Sequence, residues 1–109
     1  MNKIIVVAGL FFSLLVTQSF AADVEAGKAK VAETCGACHG MDGNSVSHDF
    51  PRLAGQNADY IRSALRAYQT GARKNPIMMG MAQPLSKDDI ENVAAYFATQ
   101  EGLFVKVFD

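Results

Sequence analysis

Two cysteines and a histidine stand within five consecutive residues, Cys35-Gly36-Ala37-Cys38-His39, and the chain has no other cysteine. Any fold open to this sequence must give those three side chains a use. A disulfide between Cys35 and Cys38 would close a tiny loop and add little stability, because the entropic gain falls as the loop shortens. A thioredoxin-like redox pair is expected in a βαβ setting, whereas this sequence reads as helical. A structural zinc site takes four ligands, usually from two such pairs, and no second pair is present.

The remaining use is Cys-x-x-Cys-His as the attachment pattern of a c-type haem. Two thiols three positions apart at a helix end can each bond one vinyl-derived carbon of the porphyrin, and the adjacent imidazole then faces the iron. Composition gives such a group a second purpose. Residues 22–109 hold 40 apolar residues, but 14 of them are alanines, which leaves only 26 larger side chains for a core. A domain that small usually needs a disulfide, metal, cofactor or partner. A formal net charge of −1 argues against a nucleic-acid partner, which calls for a basic excess. The apolar content also excludes a disordered chain.

The first 21 residues contain 14 apolar ones and read as an address. Met1 to Lys3 form a positive start, residues 4–16 an uncharged apolar run, and Ser19-Phe20-Ala21 a small-residue cleavage site. This pattern predicts a secretory signal over 1–21, cleaved after Ala21, with export to a bacterial periplasm and a mature domain over 22–109. The alternative is an uncleaved membrane anchor, but a run this short barely reaches the roughly 20 residues that span a bilayer. Charge in the mature domain is divided: residues 52–74 carry five basic residues against Asp59 alone, between two acidic ends. Such a division predicts a polarised surface for steering a partner.

The mature domain reads as three helices. Residues 23–34 are rich in helix formers, with Gly27, Val31 and Cys35 on one face. Asn57 caps a second helix over 58–70 that stops at Gly71; its apolar stripe is Ile61, Ala64, Leu65 and Tyr68. Ser86-Lys87-Asp88-Asp89 forms a capping box for a third, running to about residue 100 and burying Ile90, Val93, Ala94 and Phe97. Only residues 103–108 hint at a strand. Between the helices lie two long irregular stretches, 36–56 and 71–85, and loops of that length in a small domain are functional or disordered. The second holds Met78, Met79 and Met81 together with Pro76, Gly80 and Pro84. From the residues alone, any of the three methionines could be the sixth iron ligand. His48, the only other histidine, lies just nine residues beyond His39. His/Met ligation is the electron-transfer arrangement, while an open sixth position suits gas binding or peroxidase work.

These residues resemble a class I cytochrome c, and most closely one haem domain of the cytochrome c4 family. The resemblance runs from about residue 26 to 100. It is carried by CGACHGMDGNS (35–45), FPRLAGQ (50–56), Tyr60, Leu65, Gly71 and MMGMAQPLSKDDIENVAAYF (78–97). It implies an all-α fold of three main helices and long loops wrapped around one covalent haem c. Cys35 and Cys38 would anchor the ring, with His39 and Met78 on the iron. Met81 becomes a packing residue and Met79 a neighbour with no ligand role. The carbonyl of Pro51 would accept the His39 Nδ1–H, and Gly27 and Tyr96 would mark the crossing of the first and last helices.

The function implied is that of a soluble exported carrier of single electrons, not an enzyme, with no small-molecule substrate. Its partners would be redox proteins such as a dehydrogenase and a terminal oxidase or reductase, met at an edge ringed by residues 75–85 beside Arg73 and Lys74. Two rivals stand beside it: a subunit through which electrons reach a larger dehydrogenase or oxidase complex, and a haem sensor or peroxidase with an open sixth position. Cytochromes c4 have two such domains in tandem, and this sequence shows one. The apolar stretch 103–109 would fold back over the domain, or else meet a partner or a second copy in a dimer; docking to a membrane complex is a separate expectation.

Overall fold

Asp23 leaves helical geometry and its side chain accepts the Ala26 N–H at 3.0 Å, starting helix α1 (Val24–Lys30). In this computed structural model, which describes residues 2–15 and 21–103, the rod does not stop near residue 34. It widens into a π-helical turn, Val31–Cys35, and continues as α2 (Gly36–His39), ending at Gly40 with φ of 80°. Single π turns inside helices recur at functional sites. This one delivers Cys35, Cys38 and His39 from a continuous backbone rather than from a loop.

Helix α3 (Ala58–Thr70) has the predicted ends: Asn57 accepts the Asp59 N–H at 2.9 Å, and Gly71 takes the left-handed conformation with φ of 78°. The stretch 71–85 departs from the expected irregular loop, because it contains helix α4 (Pro76–Ala82). Asn75 is its N-cap and Pro76 occupies its first turn, the pairing that favours a helix start. Helix α5 (Lys87–Ala98) opens with the full capping box, Ser86 Oγ accepting from Asp89 N at 3.0 Å and Asp89 Oδ2 from Ser86 N at 2.9 Å. No strand occurs among the described residues. Of the hinted strand, Leu103 is irregular and donates its N–H to the Ala54 carbonyl at 2.8 Å. Residues 104–108 lie outside the described part.

The core gathers Val31 from the π turn, Ile61 and Leu65 from α3, Ala82 and Leu85 around the end of α4, and Ile90, Val93, Ala94, Tyr96 and Phe97 from α5. The third helix buries all four residues its pattern predicted; in the second, Ile61 and Leu65 are buried, while Ala64 and Tyr68 are only partly covered. Residues 2–15 form no regular structure and their large apolar side chains are exposed. No helix among the described residues is long and apolar enough to cross a membrane.

Helix α1 crosses α5 at Gly27. A Cβ there would stand 2.1 Å from the Asn92 carbonyl oxygen and 3.0 Å from Tyr96 Cβ. The crossing is pinned on either side: Asn92 Oδ1 accepts the Asp23 N–H at 2.8 Å, and Tyr96 Oη donates to the Met41 carbonyl at 2.6 Å. Across α3 and α5, Glu91 accepts from Arg62 at 2.8 Å and from Arg66 at 2.9 Å, while Arg62 also meets Asp59. Two of the five basic residues of 52–74, Arg62 and Arg66, are thus spent on internal pairs. Among the described residues, Arg52, Arg73 and Lys74 are in no ion pair.

Replacing Gly27 by Ala should destabilise the protein by about 2 kcal/mol, the scale of overpacking a tight contact. In a domain of this size that lowers Tm by roughly 10 °C. Gly80, in the interior of α4, has open space where its Cβ would lie, so Gly80→Ala should raise stability by about 0.5–1 kcal/mol. Thermal unfolding followed by circular dichroism checks both signs.

Candidate haem-binding cleft

The π turn and α2 present both thiols and the His39 ring to one wall of a cleft. Phe50, Pro51 and Leu53 from the following loop, Ile61 and Leu65 from α3, and Val93 and Phe97 from α5 supply apolar surface. The same cleft is lined by Asn75, Ile77, Met78 and Met81 at α4.

His39 is 7% exposed, and its Nδ1 lies 2.8 Å from the Pro51 carbonyl oxygen. A carbonyl only accepts, so the hydrogen sits on Nδ1, and Nε2 keeps its lone pair for a metal. Second partners of this kind fix the tautomer and the ring orientation of a ligand histidine. The loop that carries Pro51 is itself tied down. Ser45 Oγ is 2.6 Å from both the Ser47 and Phe50 carbonyls, and the Gly43 carbonyl accepts from Leu53 N at 2.7 Å and Ala54 N at 3.0 Å. Ser45 takes a positive φ of 70° to do this. The Phe50 ring meets His39 edge-on, with centroids 6.4 Å apart.

Cys35 and Cys38 are unbridged. Burial pushes the Cys35 thiol up to about 11, against a smaller opposing pull from Lys30. A thiol-disulfide exchange pair needs the reverse, a lowered thiol pKa. Among the described residues no group of three or more His, Cys, Asp and Glu side chains converges as a zinc site requires. Two thiols and an imidazole on one wall, thioether sulfurs on another and apolar surface between them suit a flat, apolar, iron-centred macrocycle.

The methionines separate by position. Met78 is half-buried against the core and lines the cleft, Met81 lines it while 45% exposed, and Met79 is not part of its lining. His48 is exposed and lines a different, polar depression with Ser45, Ser47 and Arg52. Sequence reasoning missed Asn75, whose Oδ1 accepts the N–H groups of both Ile77 and Met78 at 3.1 Å. The Asn75-Pro76 pair was the available signal for it.

A helical chain folded around this donor set defines a c-type cytochrome. Residues 24–101 match the family Cytochrome c, and the chain belongs to it. Members of that family carry covalently bound haem c, and the residues lining this cleft fit that group. The chain is 43% identical over 111 residues to a cytochrome c4 of Stutzerimonas stutzeri, covering 94% of this chain and 52% of that protein. It is 45% identical over 84 residues to cytochrome c-554(548) of Halomonas halodenitrificans, covering 74% of this chain and all of that one. The crystal structure of reduced recombinant cytochrome c4 from Pseudomonas stutzeri matches with a TM-score of 0.69 at 47% identity, over 76% of this chain and 48% of that one. The chain therefore spans about half the length of the cytochromes c4 it resembles.

Removing both thiols separates covalent from coordinate attachment. In the Cys35→Ala, Cys38→Ala double variant, all haem should leave the protein on denaturing electrophoresis or acid–acetone extraction, whereas it stays with the unaltered chain.

Proposed function

We propose that this chain is an exported carrier of single electrons between redox proteins, in which Cys35 and Cys38 anchor the haem and His39 and Met78 bind its iron. The observation that supports this most is the 2.8 Å bond from His39 Nδ1 to the Pro51 carbonyl, which leaves Nε2 free in a cleft that Met78 also lines. Bound haem supplies one-electron Fe(III)/Fe(II) chemistry, and His/Met ligation favours electron transfer.

The chain's own residues hold that site rigid. Pro51 keeps the proton on Nδ1, so His39 has the same tautomer in both oxidation states. Asn75 holds the backbone at Met78, while Leu65, Val93 and Phe97 keep water off the walls. The half-buried Met78 favours an occupied sixth position over the sensor or peroxidase alternative, and electron carriage is the protein's activity rather than catalysis on a substrate.

For the partner surface, we infer docking at the mouth of the cleft. Ile77 is 64% exposed there and Met81 stands beside it. The Arg73 guanidinium lies over the Tyr68 ring, 5.0 Å from its centroid, and donates to Tyr60 Oη at 3.2 Å. That pair of contacts holds a positive charge two residues before Asn75, which lines the cleft, with Lys74 between them, and suits an acidic dehydrogenase or oxidase. Residues 1–21 serve as a cleaved address to the periplasm, which the exposed apolar side chains of residues 4–15 support.

In the oxidised holoprotein, Met78→Ala should abolish the weak band at the red end of the visible spectrum that marks methionine–Fe(III) bonding, while Met79→Ala and Met81→Ala keep it. A band that survives Met78→Ala overturns the ligand assignment. Arg73→Glu together with Lys74→Glu should slow electron transfer to an acidic partner by about tenfold at low salt. The gap should close at high ionic strength, where surface charges are screened. Stopped-flow kinetics across a salt series reads this directly, and mass spectrometry of the exported protein should find Ala22 at its start.

A further inference from the structure

We propose that Gln69 is a positioning residue for Met78: it holds the turn that ends α4, and so sets how firmly the thioether stays on the iron. This rests on the reading of Met78 as the axial ligand. Helix α4 has seven residues with Gly80 in its interior, and Ala82 is its only buried residue. A helix that short is unstable alone, and an interior glycine weakens it by about 1 kcal/mol relative to alanine. Its place must come from outside ties.

Gln69 supplies the one at the C-terminal end. Its Nε2 donates to the Ala82 carbonyl at 2.8 Å and to the Leu85 carbonyl at 2.9 Å. Gln83 Nε2 returns a bond to the Gln69 carbonyl at 2.7 Å, and Leu85 N closes the turn onto Ala82 O at 3.1 Å. Met78 and Ala82 are four residues apart on a helix, so they share a face. Fixing the Ala82 carbonyl therefore fixes the turn above the ligand. Gln69 is in turn anchored, since α3 is packed into the core with α5 through buried Ile61 and Leu65. An amide spans two carbonyls with two hydrogens. Glutamate has the same shape but offers neither.

The test uses oxidised holoprotein and added imidazole, which competes with the methionine for iron; binding is read from the change in the main haem absorption band, a signal present with or without Met78. Gln69→Glu and Gln69→Leu should each raise imidazole affinity roughly tenfold, as expected when two hydrogen bonds that hold the bound state are lost. Covalent haem and helix content should be unchanged. Should Gln69→Leu not fold, Gln83→Ala, at an exposed position, gives a rise of about threefold from the single bond it removes. Arg66→Gln loosens α3 from α5 away from α4 and should leave imidazole affinity within about twofold of the unaltered protein. Unchanged affinity in the Gln69 variants, or an equal rise in Arg66→Gln, overturns the proposal. A large rise in Met78→Ala with none in the Gln69 variants sinks the role of Gln69 alone. No rise in Met78→Ala means that Met78 is not the ligand, and both readings fall.

Discussion

One hydrogen bond, from His39 Nδ1 to the Pro51 carbonyl, governs the shape of this protein's first half. An imidazole buried in an apolar cleft needs its Nδ1 satisfied, because an unpaired buried N–H costs about 1–3 kcal/mol. The acceptor has to come from a segment that does not move. Residues 40–56 meet that demand by turning on Gly43 and Ser45, both at positive φ, and tying the strap to itself through the Ser45 hydroxyl and the Gly43 carbonyl. Gly43 has a second duty, since a Cβ there would stand 2.7 Å from Ala54 N and 2.8 Å from Phe97 Cδ1. The strap, the α5 aromatic and the histidine acceptor are thus one packed unit.

The opposite side of the cleft is built on another principle. There the chain commits little apolar burial and relies on directed hydrogen bonds at both ends of a short helix, Asn75 at the start and Gln69 at the finish. A methionine sulfur is a weak, soft donor on a flexible stem, so it contributes little to holding the backbone that carries it. His39 is fixed by a continuous rod that joins the core through Val31. Met78 depends on side-chain amides, and this asymmetry makes the methionine side the more adjustable half of the site.

How much of this was legible depended on whether the signal was local. The attachment motif, the Asn57, Gly71 and Ser86 caps and the apolar faces of α3 and α5 are short-range patterns, and all appear where the sequence put them. The Gly27 crossing and the Pro51 acceptor, which join residues far apart in the chain, were reached only through resemblance to known cytochromes. Helix α4 was missed because Gly80 and two prolines made 71–85 look irregular; Pro76 was in fact at the one helical position where proline is favoured. The continuation of the first helix to His39 was hidden by the π turn, which breaks the 3.6-residue period. The positive block over 52–74 suggested a steering surface, but Glu91 lies 29 residues from Arg62 and draws both Arg62 and Arg66 inward. No local pattern announces a pairing across that distance.

The scarcity of large apolar residues takes a definite form in three dimensions. Ile61, Leu65, Leu85, Val93 and Phe97 belong both to the core and to the lining of the cleft. The core is therefore a shell with one face turned toward the site, and closing that face removes apolar surface from water at about 25 cal/mol per Å². A group that binds only the folded chain stabilises it by an amount that depends on its free concentration. Covalent anchoring removes that dependence, because a tethered group stays at the site however dilute the protein becomes. A domain with so thin a core gains more from such a tether than a well-filled one would. In their proposed role as haem anchors, the two cysteines act on folding as well as on chemistry: they keep the centre of the core with the chain that needs it.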